Sequence, residues 1–498
     1  MHKTTHNAAD AAFLGIDAST QGVKALVIGG GRIIASASVN FGKDLPLFNS
    51  PNGYIEALAP AEFHADPLMW VAGLELCLER LAKECDLSQV RGVSGSGQQH
   101  GSVYLGAGND FIRATSPIWM DRSTSAECAE LTARFGGTIL SATGSPASER
   151  FTGPQIRRFC KTDPQAYDRT RIIHLVSSFL CSSLIGSDAP VDFGDGAGMH
   201  LLDLSRMRWH EEIAEFTAPG LLAKLPPVVP SDSIAGFVDS AYGHCGLKTD
   251  TPVVVWSGDN PNSLVGVGAS APGAAVISLG TSDTVFAALE SYEPPRYGHV
   301  FGNPAGGFMS LVCFTNGSLA REKVREECGV DWAYFDNGAL AETEFGNGGK
   351  FFLPWFLPES TPPVSEPRPR ANFDVAAATP AERIRAVLET QALTMRWHMP
   401  ANERPRLIRV TGGASRSKGF LRVIADVFQA RVETISAPDS AALGAAMRAA
   451  NAVAKTPFAE LAETYCKPAS TVEPDKSLAP VADRMLKDFA RFLAASPR

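Results

Sequence analysis

No apolar run in this sequence reaches the roughly 20 residues that a bilayer-spanning helix needs, which excludes a protein built on such spans. There is no long basic run either, and the net charge is −8 with His neutral. Both argue against nucleic acid or an anionic membrane surface as partner. The N-terminal stretch MHKTTHNAADAAFLGID lacks the apolar segment of a secretory signal, so the expected location is cytoplasmic. The nine cysteines are an odd number, with no C-x-x-C and no His at zinc spacing. They read as reduced, mostly buried thiols. The absence of G-x-x-x-x-G-K-[ST] excludes a Walker-type nucleotide site, and no G-x-G-x-x-G follows the first strand to mark a Rossmann site. Any phosphate must be held by turns of another kind.

What is present is a chain of 498 residues, 45% hydrophobic and 20% charged, the balance of a soluble enzyme with two or more domains. Residues 14–28, LGIDASTQGVKALVI, are two apolar runs around a small polar turn. That turn holds Asp17, Ser19, Thr20, Gln21 and Gly22, with Lys24 just beyond. Small residues let backbone N–H groups approach phosphate oxygens, Lys supplies charge, and Asp can hold Mg²⁺ through water. An ordinary hairpin with a polar tip would read the same way. The pattern returns at 274–289, AAVISLGTSDTVFAAL, with Thr281 and Ser282 in the turn. A repeat at about one two-layer domain's distance predicts two α/β halves, each opening with a hairpin, and a ligand cleft between them. Elsewhere the pattern predicts a strand meander over 12–40, helices at 61–85, 123–135, 154–168, 379–399 and 439–453, and a last helix near 480–494. It also predicts strand–turn–strand at 90–105, a long apolar segment at 171–185 and a surface loop at 358–370. We place the divisions at 13–257, 258–455 and a helical extension at 456–498.

Asp259 follows an apolar strand and a glycine, a position that suits either a general base or a helix N-cap, with Asn260 a competing cap. His100 in GQQHG reads equally as a turn histidine, and Trp119 in PIWMDRS as core packing. Gly412 and Gly413 precede a helix, as in a plain strand-to-helix turn or a nucleotide-binding one.

The strings GIDASTQGVKA, SGSGQQHGSV, PIWMDRST, TGSPASERFTG, LVSSF, GDNPNSLVG, SLGTSDTVF, CFTNGSLAREK and TGGAS, spread over residues 14–453, resemble the FGGY family of carbohydrate kinases. The resemblance implies an α/β fold of two actin-like (ribonuclease H-like) domains with the active site in the cleft between them. It implies ATP and Mg²⁺ as cofactors, a small sugar as the other partner, and a monomer or homodimer. Asp259 becomes the catalytic base for the terminal hydroxyl of D-xylulose. His100, Gln99, Arg150, Asn260, Trp119 and Asp121 become sugar contacts. Ser19, Thr20, Gln21, Lys24, Thr281, Ser282, Trp332, Gly412, Gly413, Ala414 and Ser417 become ATP contacts, and Asp17 the metal-side carboxylate. Arg122 follows Asp121 directly, where family members often space a basic residue one further on, so its role stays open. Another ketose or polyol as acceptor, or a non-catalytic nucleotide sensor on the same fold, are the competing readings.

Overall fold

The structure, a computed structural model, describes residues 11–56, 58–399, 404–435 and 439–495. The first ten residues, including most of the stretch read for a signal, lie outside them.

Short apolar runs separated by polar or glycine turns over 12–40 give three antiparallel strands, β1 (Ala12–Ala18), β2 (Gly22–Gly29) and β3 (Arg32–Asn40). β4 (Val90–Gly97) runs parallel to β1 on its other side. β5 (Ile234–Phe237), β6 (Pro252–Val254) and the short β7 (Ser257–Gly258) complete a sheet of order β5-β6-β4-β1-β2-β3, with β7 also paired to β4.

The second sheet repeats the plan. β8 (Ala274–Leu279) and β9 (Asp283–Leu289) form its hairpin, and β10 (His299–Gly302) and β11 (Phe308–Phe314) extend the antiparallel side. β12 (Leu407–Thr411) and β13 (Arg431–Ile435) run parallel to β8, and β14 (Pro468–Val472) closes the far edge. Part of the segment expected to be a helical extension is therefore a sheet strand. Each sheet has its own apolar core, one around Trp70, Leu74 and Trp256, the other around Ile384, Leu388 and Phe428.

Several expected elements are divided. Helix α1 (Pro67–Glu84) starts later than 61 because Asp66 caps it, accepting from Leu68 N at 2.9 Å, and Pro67 opens its first turn. The 154–168 helix is two, Thr152–Thr162 and Pro164–Arg169, because Pro164 has no N–H to continue the first. The apolar 171–185 run splits into a strand, Ile172–Leu175, and helix α2 (Val176–Ile185). Ser102–Leu105 does not return along β4 but pairs with Ile172–Leu175, because His100 takes a left-handed φ of 72° and redirects the chain.

Helix α3 (Asp259–Gly266) leaves β7 and crosses α6 (Ser440–Ala454), the Ala-rich helix. The crossing has no room for side chains. A Cβ on Gly266 would lie 1.8 Å from Ser440 O, one on Gly444 1.9 Å from Asn262 O, and one on Gly15 1.9 Å from Ala442 O. The alanines of α6 with Gly444, and Gly15 and Gly266 opposite them, are thus a packing requirement, since they let α6 press on β1 and α3 together. Helices α4 (Pro380–His398), capped by Thr379 and Glu382, α5 (Lys418–Phe428) and α7 (Ala479–Ala494) pack in the second half.

Candidate active site

Sheet register builds the floor of the site. Asp17 on β1 faces Ser96 on β4, and Ser96 faces Ser257 on β7. Asp259 comes two residues after Ser257, at the first position of α3. The expected division at 257/258 therefore gives way to continuity: β7 pairs with the first sheet, and Asp259 emerges beside Asp17 rather than from the opposite half. Among the described residues, Asp17 Oδ1, Ser96 Oγ and Ser257 Oγ are buried without a hydrogen-bond partner. Native proteins leave few such atoms, and a row of them marks where a ligand or ion satisfies them.

Asp259 Oδ1 accepts from Asn260 N at 2.7 Å and from Asn260 Nδ2 at 3.0 Å. Among the described residues, no other residue's donor reaches Oδ2. Asn260 Nδ2 also donates to Gln99 Oε1 at 2.9 Å, so the GDN and GQQHG segments are tied together. Burial first, then the charge of Asp17, pushes the Asp259 pKa up to about 7; burial pushes Asp17 up to about 6. Both carboxyls hold their protons more tightly folded than at the unfolded value of 3.8. Their contribution to stability is full below that value and is lost as pH rises through about 6 and about 7. The ligand-free protein should melt lower at pH 8 than at pH 5.5, and Asp259→Asn should remove part of that decline. A slope unchanged by the substitution would contradict this electrostatic picture.

His100 Nδ1 lies 2.8 Å from Gly198 O, which can only accept. The ring hydrogen is therefore on Nδ1, and Nε2 is left as an acceptor. Burial holds its pKa well below the usual value, so the ring is neutral. It stacks on Phe151 at 4.1 Å. Arg150 is largely enclosed near His100, His299 and Cys313, and burial lowers its pKa. Trp119 donates from Nε1 to Thr20 Oγ1 at 2.8 Å, which attaches this loop to the turn between β1 and β2. Asp121 is engaged within the protein: it accepts from Phe63 N at 3.1 Å and from Ser123 N and Oγ at 3.0 and 2.6 Å, and faces His64. Its carboxylate braces the Trp119 loop. Arg122, beside it, is exposed.

In the first turn, Ser19 N and Oγ both bond to Gly22 O, and Gln21 O accepts from Phe41 N. Lys24 pairs with Asp439 at 2.8 Å, at the start of α6. In the second half, Thr281 and Ser282 form the turn between β8 and β9, and Ser282 Oγ reaches Thr315 O at 3.4 Å. Gly412 ends β12, the parallel neighbour of β8, with φ of 89°, and a Cβ there would meet Leu279 O at 2.4 Å. Only glycine fits, and the Gly412–Gly413 turn lies beside the Thr281 turn as a result. Ala414 is half-buried in the turn that follows, and Ser417 caps α5 and donates to Asp336 Oδ1 at 2.6 Å. That bond draws the 331–336 segment to the glycine turn. Trp332 there is 45% exposed and leans on Phe335 and Arg325.

Residues outside the motif reading also shape the site. Phe151 is sandwiched between His100 and His200, the latter at 4.0 Å. Asp192 and Asp195, in the polar DFGDGAG turn, are fully buried under Gln99 and Asp259. The visible signal was two carboxylates three residues apart in a run of glycines, a combination rarely placed in a core without partners.

Two α/β halves, each built on a mixed sheet with its own hairpin, define an actin-like two-domain architecture. Residues 12–266 match the FGGY family of carbohydrate kinases, N-terminal domain, and residues 275–453 the C-terminal domain of the same family. The chain belongs to the FGGY family of carbohydrate kinases. It is 38% identical to xylulose kinase 2 of Arabidopsis thaliana over 89% of this chain and 87% of that protein. It is 37% identical to xylulose kinase of Rattus norvegicus over 96% and 95%. The crystal structure of xylulose kinase from Rhodospirillum rubrum shares the fold, with a TM-score of 0.84 at 21% identity over 97% of this chain and 98% of that one.

Proposed function

We propose that this protein transfers the γ-phosphoryl group of ATP to the terminal hydroxyl of D-xylulose, giving D-xylulose 5-phosphate, with Asp259 as the general base. The observation that carries the reading is the placement of Asp259: a half-buried carboxyl at the start of α3, Oδ1 held twice by Asn260 and Oδ2 left for a substrate proton, with burial pushing its pKa up to about 7. A base that titrates near neutral pH balances availability against proton affinity. Asp259 takes the hydroxyl proton, the freed oxygen attacks the γ-phosphorus in line, and ADP leaves. The relatives named xylulose kinase support the choice of sugar.

The orphaned Asp17 oxygen and its neighbour Asp259 suit Mg²⁺, which is commonly held by one or two carboxylates with waters and phosphates. When bound there, Mg²⁺ would neutralise charge on the phosphoryl oxygens. The Ser19–Thr20–Gln21 and Thr281–Ser282 turns hold the phosphates from either half, with Lys24 at the edge of the first. Gly412, Gly413, Ala414 and Ser417 line the adenosine side, and Trp332 flanks it.

His100 receives a sugar O–H at Nε2, and Arg150, Asn260, Gln99 and Trp119 complete the sugar pocket, with Asp121 bracing its wall. His100→Ala should raise the sugar KM by about 10-fold or more, the worth of a buried hydrogen bond, and leave the ATP KM near its original value. An equal rise in both would assign His100 to folding alone. A panel of pentuloses, hexuloses and polyols, assayed by ADP formation, tests the acceptor; a polyol preferred over D-xylulose would overturn the sugar assignment.

A further inference from the structure

Beneath the proposed base lies a carboxyl that the reaction as described does not use. Asp195 is fully buried. Its backbone N–H donates to Asp192 Oδ1 at 2.8 Å, and Ser177 Oγ, in the first turn of α2, donates to Oδ2. Among the described residues, neither Asp195 Oδ1 nor the buried Gln99 Nε2 has a hydrogen-bond partner. Gln99 is close enough to this carboxyl to favour its charged form.

Gln99 has little freedom to turn elsewhere. A Cβ on Gly258 would lie 2.6 Å from Gln99 Cγ, and one on Gly198 3.5 Å from Gln99 Nε2, so two glycines are pressed against it. An amide has one accepting and one donating end. Oε1 is taken by Asn260 Nδ2 at 2.9 Å, and the same Asn260 nitrogen donates to Asp259 Oδ1 at 3.0 Å. The donating end lacks a partner among the described residues, and Asp195 Oδ1 is a neighbouring acceptor that lacks one too.

We infer that Asp195 is a positioning residue: by accepting from Gln99 Nε2 it fixes the amide with Oε1 toward Asn260, and Asn260 in turn aims the Asp259 carboxylate. The chain runs Ser177, Asp195, Gln99, Asn260, Asp259. The inference rests on Asp259 being the base. The role needs an acceptor atom and no charge. In keeping with that, burial and the nearby Asp192 and Asp259 push the Asp195 pKa well above the usual carboxylate range.

The test is a set of variants in the full-length protein, assayed with ATP and D-xylulose. Asp195→Ala should lower kcat by about 10–10²-fold, the usual cost of losing an orienting partner, with the ATP KM little changed. Asp195→Asn, which keeps an acceptor while Ser177 turns to accept from its new N–H₂ group, should recover most of that loss. In a Gln99→Ala background the relay is already cut, so adding Asp195→Ala should lower kcat by less than about twofold more. A merely structural role would instead multiply the two losses, and that result overturns the inference. So does an Asp195→Ala kcat within about twofold of the original. Should the alanine variant fail to fold, Ser177→Ala carries the test: a lower kcat that vanishes in the Gln99→Ala background supports the relay, and an unchanged kcat overturns it. Asp259→Asn, run alongside, separates the two assignments. Turnover kept there removes the base; turnover lost there but kept in Asp195→Ala removes the relay alone.

Discussion

Asp259→Asn loses about 10²–10⁴-fold in turnover, the span expected for a positioned general base, while ATP binds as before. The substitution is isosteric. The amide oxygen it introduces can still accept from Asn260 N and Nδ2, at present 2.7 and 3.0 Å from the aspartate oxygen, so the loop keeps its shape. What disappears is the proton acceptor. The turns around Ser19 and Thr281, proposed to hold ATP, are built by other segments, so nucleotide affinity, read by calorimetry, should stay close to that of the parent protein. The substitution also removes a carboxyl that burial and Asp17 both disfavour in its charged form, so the variant should be no less stable at pH 8. Low turnover with weakened ATP binding and a lower melting temperature would point to damage rather than to chemistry.

Arg448→Met costs about 3–5 kcal/mol of stability, the usual effect of breaking a buried ion pair from one side. Arg448, on α6, is among the largest fully buried side chains. Its guanidinium donates to Ser231 O and Val255 O at 2.8 Å each and to Asn262 Oδ1 at 3.2 Å, and lies 3.6 Å from Asp192 Oδ2. Methionine fills the volume but leaves two carbonyls and Asp192 without this cation. Ser231 Oγ, which donates to Asp192 at 2.8 Å, compensates only in part. The loss should appear as a fall in the midpoint of the first unfolding transition, and Asp192→Asn in the same chain should restore part of it. A fall under about 1 kcal/mol would mean that the network relaxes and that the helix contact at Gly444 carries the joint. Since Asp192 also holds Asp195 N, kcat should fall with stability in Arg448→Met.

The hairpins were legible because their signal is local. Short apolar runs over 12–40 and 274–289, with small polar turns between them, favour paired strands. The helices at 440–454 and 480–494 were legible for the same reason. Non-local pairing was not. Nothing near Ser102 says that its strand partner is Ile172–Leu175, and nothing near Asp259 says that Ser257–Gly258 joins the first sheet. Gly444 of α6 looks like a weak helix former in the sequence; its reason, close contact with Asn262 and Gly266 of α3, exists only when these distant segments meet. In the candidate site, motif strings marked Asp17, Gln99, Asp259 and Asn260, which the structure brings close together. Asp192, Asp195 and Arg448 escaped because a buried polar residue is identified by its partners, and those lie on separate elements.

The measurement that bears most directly on the account is product identification: incubate the protein with ATP, Mg²⁺ and D-xylulose, and follow sugar and nucleotide together by phosphorus NMR. The account predicts one ADP for each D-xylulose 5-phosphate formed, with no such product from Asp259→Asn on the same time scale. Phosphate released from ATP with the sugar left unmodified, or a phosphorylated sugar produced equally well by Asp259→Asn, would contradict it.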